Sequence, residues 1–106
     1  VVRVIKLVNT LPKTLSNSVI VAQLLRSATS IGANDQEADG CLTTKDFVHC
    51  YTIVRKELKE TLFWLRLISD TNINLKDNLE SILKENQELI SIVSTILNKT
   101  RLKTQK

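Results

Sequence analysis

The side chains best placed for chemistry are polar groups at helical spacing: Arg26, Asn34 and Glu37 in one segment, and Glu57, Glu60 and Trp64 in another. Two carboxylates three residues apart beside a guanidinium suit general acid–base work, if a cleft admits a substrate and the environment moves their pKa values. The same groups satisfy a plainer demand. Carboxylates and an arginine bonded to one another between two helices fix the register of packing. No partner base and no cleft can be read from the chain, so architecture is the role expected for Arg26, Asn34, Glu37, Glu57 and Glu60. In an antiparallel pair Arg26 meets Glu57 or Glu60, and Asn34 and Glu37 face the earlier turns of the other helix.

A second constellation is Asp46-x-x-His49-Cys50. A di-metal carboxylate bundle needs Glu-x-x-His on two helices and two further inward carboxylates, and the chain has one His. Nothing elsewhere completes a four-coordinate set. His49 and Cys50, adjacent on a helix, point about 100° apart and make a poor nucleophile–base pair. There is no Gly-rich loop, Walker sequence or nucleophile elbow. The chain is expected to be non-enzymatic, with no cofactor and no metal. Cys41 and Cys50 form no CxxC pair and are expected to be free thiols in a cytoplasmic protein. No apolar run is long enough to span a bilayer and no signal-peptide pattern opens the chain, so no membrane contact is expected.

The net charge of +4 is unevenly spread. Up to residue 26 there are Arg3, Lys6, Lys13 and Arg26 and no acid, and from residue 99 there are Lys99, Arg101, Lys103 and Lys106 and again no acid. Between them, seven bases stand against eleven acids, so the middle is net acidic by four. Arg3, Lys6, Lys99, Arg101, Lys103 and Lys106 are the candidates for nucleic-acid contact, since cations at this density attract phosphates without sequence preference. With only Phe47, Tyr51, Phe63 and Trp64 as aromatics, stacking of unpaired bases has little support.

These groups must be held by helices. Two Gly and one Pro in 106 residues favour a few long helices over many strands. The periodicity predicts helices over about 1–11, 17–39, 44–69 and 74–100 of a single domain, 1–106, closed as an antiparallel up-down-up-down four-helix bundle. Pro12 ends the first. Its abrupt apolar start implies that this helix is truncated. Thr14, Ser16 or Asn17 caps the second, and Thr43 caps the third at Asp46. Lys56 and Glu60 are spaced to pair along the third. The second helix is unusual: between Thr14 and Asn34 its only charge is Arg26. Such a helix needs cover on most of its circumference, from its own bundle on one side and a sister molecule on the other. Gly32 within it implies a close neighbouring helix. The bundle topology also brings the two basic ends together at one pole.

The run Arg26-Ser-Ala-Thr-Ser-Ile-Gly-Ala-Asn34, then Glu37-Ala38, Lys45-Asp46-Phe47, Lys56-Glu57-Leu-Lys-Glu60-Thr61 and Trp64-Leu65 resembles the small four-helix-bundle proteins encoded in intervening sequences of 23S ribosomal RNA genes. The accessory variability protein of diversity-generating retroelements is similar to the same group. The resemblance implies a bacterial protein that assembles as a ring-like homopentamer. It also implies RNA or DNA as a partner through basic surface, or a scaffold role toward a protein such as a reverse transcriptase without direct nucleic-acid contact. Asp35 departs from the family pattern, in which an apolar or aromatic residue commonly follows the Asn.

Overall fold

A computed structural model describes residues 1–104 of the chain, and the side chains of residues 1–102. The described residues form four α-helices and no strand: α1 (Val2–Val8), α2 (Leu15–Asp39), α3 (Thr44–Thr71) and α4 (Lys76–Thr104). A short 3-10 turn, Ile73–Leu75, precedes α4, where sequence periodicity predicts the loop to pass into the fourth helix near Asn74.

Local chemistry sets the ends. The Thr14 hydroxyl accepts from the Asn17 amide at 3.1 Å and opens α2; Thr43 accepts from the Asp46 amide at 3.1 Å and opens α3. The chain leaves α1 at Val8, and Leu11 turns inward ahead of Pro12 to 6% exposure. Helix α2 lies antiparallel to α3, because partners descend along one as they ascend along the other: Asn17 with Asn72, Ser27 with Thr61, and Asp35 with Tyr51. Arg101 of α4 donates to Thr52 of α3, and Arg3 of α1 bonds to Ser81 and Glu85 of α4, which completes the up-down order.

Small residues carry the α2–α3 contact. Ser27 is fully buried and Ala28 nearly so, and the Ser27 and Thr61 hydroxyls bond at 2.8 Å across the interface. The apolar periodicity of α3 predicts an inner stripe of Phe47, Tyr51, Val54, Leu58, Thr61, Leu65 and Ile68; the last five are buried, and Phe47 and Tyr51 are half-buried. At one end the amides of Asn17 and Asn72 bond reciprocally at 3.2 Å, and Asn17 also donates to the Pro12 carbonyl at 2.9 Å. This clamp ties the α1–α2 turn to the end of α3.

The core has two parts. Val4, Leu11, Ile20, Leu24, Ala28, Leu65, Ile68, Leu79 and Ile82 fill the end that α1 covers. Val54, Leu58, Val93 and Leu97 fill the other, where α2, α3 and α4 meet with Ile31, Val48, Tyr51 and Ile90. Seven residues give α1 a length of about 10 Å, so it cannot reach the second part.

Two expectations change here. The close approach expected at Gly32 is absent: a Cβ there would meet only Val1 Cγ2, at an ordinary 3.5 Å. Gly32→Ala is therefore expected to stabilise the bundle by about 0.5–1 kcal/mol, read as a higher chemical-denaturation midpoint with unchanged slope. The Lys56–Glu60 pair does not form either, because Glu60 is engaged by Arg26 and Trp64 across and along the helix.

Candidate nucleic-acid interface and the polar network

The polar groups sort into those that meet and those that do not. Arg26 Nη1 donates to Glu57 at 3.3 Å, its Nη2 pairs with Glu60, and its Nε donates to Gln23 at 3.3 Å. Trp64 Nε1 donates to Glu60 at 3.1 Å. Glu57 is buried at 5% exposure, whereas the Arg26 side chain is about half open at 48%. The guanidinium thus lies over a buried carboxylate and holds both acids of α3 against α2.

Asn34 and Glu37 stay outside this network, contrary to the sequence expectation. The Asn34 amide turns back onto its own helix and donates to the Ser30 carbonyl at 2.9 Å. Glu37 is exposed in the last turn of α2, where its charge, second to burial, pushes the Cys50 thiol upward. Cys50 is buried while His49 beside it is exposed. Asp35 accepts a 2.7 Å hydrogen bond from the Tyr51 hydroxyl, which with burial raises that phenol to about 12. Tyr51 stacks on Phe47 at 4.6 Å between ring centroids.

The basic ends do not converge. Arg3 is ion-paired with Glu85 and donates to Ser81, which places the start of α1 against the first half of α4. Lys6 lies closer still to the beginning of α4, beside Asn78 and Ile82. Lys99 is fourteen residues beyond Glu85 on α4, about 20 Å along the axis. Lys99 and Arg101 are exposed in the last turns of α4. Lys106 and the Lys103 side chain fall outside the described residues.

A charge pattern that segment totals conceal lies on α3. Of its charges, Asp46, Glu57 and Glu60 lie toward one side and Lys45, Arg55, Lys59 and Arg66 toward another, with Lys56 between the two groups and Asp70, in the last turn, on the side of the cations. Arg55, Lys59 and Arg66 are two or nine residues from Glu57, which at about 100° per residue puts them roughly opposite it. Steps of three, four and seven could have found this arc, had charges been sorted by face instead of by segment.

An apolar groove of about 330 Å³ opens at the start of α1, lined by Val1, Ile31, Leu58 and Leu89 among others, with the buried Asn86 in its wall. Asn86 Oδ1 accepts no hydrogen bond from any described residue. Neither Glu57 nor Glu60 borders this groove.

The fold and its polar seam define an antiparallel helical bundle whose internal charges brace packing. The chain belongs to the 23S rRNA-intervening sequence protein family, which matches residues 1–95. Among solved structures it is similar to a protein of unknown function from the S23 ribosomal protein family of Bacteroides thetaiotaomicron. That match has 34% identity and a TM-score of 0.81, covering 91% of this chain and 89% of that one. No curated protein matches the chain. No described helix is long and apolar enough to cross a membrane.

Proposed function

We propose that this protein is a non-enzymatic, homo-oligomeric bundle of the cytoplasm that binds nucleic acid weakly through its basic surface. The observation that carries the reading is the outer side of α2. Leu15, Val19, Ala22, Arg26, Thr29, Ala33 and Gln36 are all exposed and recur at alternating steps of four and three. Leu15 is 85% and Val19 61% open. That spacing is the seam of helix-on-helix packing. The one charge on it, Arg26, is already met by Glu57 and Glu60 of its own chain, so covering the stripe strands no bare ion. A second chain is the natural cover, and a five-fold ring is the arrangement the resemblance implies.

A structural role for Glu57 and Glu60 is supported by their partners. Both are held by Arg26, and Glu60 by Trp64 as well. A multimer also repeats every cation, which raises a weak phosphate attraction by avidity.

Light scattering tests the assembly. The native chain is expected at a multiple of the single-chain mass, and Val19→Glu with Ala33→Glu at the single-chain mass with unchanged helical circular dichroism. A native protein that runs as one chain at every concentration overturns it. Recovery of a reverse transcriptase but no nucleic acid with the native protein would favour a scaffold instead.

A further inference from the structure

We infer that duplex nucleic acid is contacted along the outer side of α3, through Lys45, Arg55, Lys59 and Arg66, and not through the chain ends; the inference rests on the nucleic-acid reading above and gives it a site. Lys45, Lys59 and Arg66 are exposed and Arg55 is half-buried. Lys45, Thr52, Lys59 and Arg66 follow one another at seven-residue steps, so they form one column. Arg101 of α4 donates to Thr52 in that column at 3.5 Å, which sets the α4 edge beside it. None of the four cations is in an ion pair with a described acid.

Their freedom has a structural cause. Glu57 and Glu60 are drawn toward α2 by Arg26. On α4 the seven-residue column that ends at Arg101 runs back through Ser94 and Gln87 to Glu80, so its one acid stands at the end away from Thr52. Asp70 ends the column one turn past Arg66.

From Lys45 to Arg66 the column runs twenty-one residue steps, about 32 Å of straight helix. One turn of a duplex is about 34 Å, so a rigid rod of this length can follow a duplex for a full turn. Unpaired bases would call for a row of exposed aromatics, and this side offers Phe63 alone, with its ring edge-on to Trp64 at 4.8 Å. The chain ends are weaker candidates. Arg3 is spent on Glu85, and Lys6 stands far from Lys99.

The test is a salt titration of binding to short mixed-sequence DNA and RNA duplexes. It compares the native protein, Arg55→Gln/Lys59→Gln/Arg66→Gln, and Lys6→Gln/Lys99→Gln. Each lost phosphate contact lowers the salt slope by about 0.9, so the triple variant should lose about 2.7 of slope. Its salt sensitivity between about 50 and 200 mM then falls by about 40-fold. The Lys6/Lys99 variant keeps the native slope, and so does Arg55→Lys/Lys59→Arg/Arg66→Lys, which retains the charges. Thermal melts confirm that the variants fold. If the native protein binds and the triple variant keeps its slope, the α3 site is wrong while nucleic-acid binding stands. If the native protein binds neither duplex at low salt, the nucleic-acid reading fails and takes the α3 site with it.

Discussion

Leu24→Ala is expected to destabilise the protein more than any surface change, by about 3–4 kcal/mol. Leu24 is fully buried at the centre of α2, in the core part that α1 closes. Truncation removes three carbons from a site packed by Ile20, Ala28, Leu65 and Ile68. Surrounding helices relax only partly, so a cavity remains and adds to the lost transfer energy. Against a total stability of about 5–15 kcal/mol, this lowers the melting temperature by roughly 15 °C or more. Leu42 is the internal control. It is 97% exposed in the α2–α3 turn, and Leu42→Ala should change stability by less than about 0.5 kcal/mol. Calorimetry at fixed protein concentration checks both, because assembly makes the midpoint concentration-dependent. Equal effects from the two variants would contradict the buried position of Leu24.

Arg26→Ala is expected to cost about 2–3 kcal/mol. Removing one partner of a fully buried ion pair costs about 3–5 kcal/mol, chiefly because the other charge stays buried and uncompensated. Here Glu57 is buried while half of the Arg26 side chain meets water, which moves the expectation below that range. Two further bonds go with the guanidinium, to Glu60 and to Gln23. The charge argument has its own signature. Glu57→Gln removes the stranded carboxylate, so the double variant Arg26→Ala/Glu57→Gln should recover part of the loss. A double-mutant cycle by urea denaturation measures this coupling. A neutral Arg26→Ala would mean that the pair behaves as an exposed surface contact.

The helices were legible in the sequence because local signals mark them. Thr43 with Asp46, Pro12, and the apolar steps along α3 each act within a few residues. The Arg26 meeting with Glu57 and Glu60 follows from antiparallel packing of two long helices. What escaped depends on depth along the bundle or on distant partners. The bonds of Arg3 to Ser81 and Glu85 set α1 against the first half of α4, and that depth carried the basic ends apart. The Asn17–Asn72 clamp joins residues fifty-five apart and leaves no local trace. Asn34 illustrates a local competitor: its amide reaches the Ser30 carbonyl before any group on α3. The cations of α3 were hidden because a segment total adds groups that point to opposite sides.

The two-part interior also bears on which positions are free to drift. Where four walls enclose the interior, a side chain such as Ile20 or Leu79 is confined from every direction, and changes of volume there are punished. Around Val93 and Leu97 the described helices α2, α3 and α4 close the interior as fully, leaving 7% and 0% of these side chains exposed, so changes of volume are punished there too. Variation among functional copies of this chain should therefore gather at exposed apolar positions such as Leu42 and Ile73, with both parts of the interior held nearly constant.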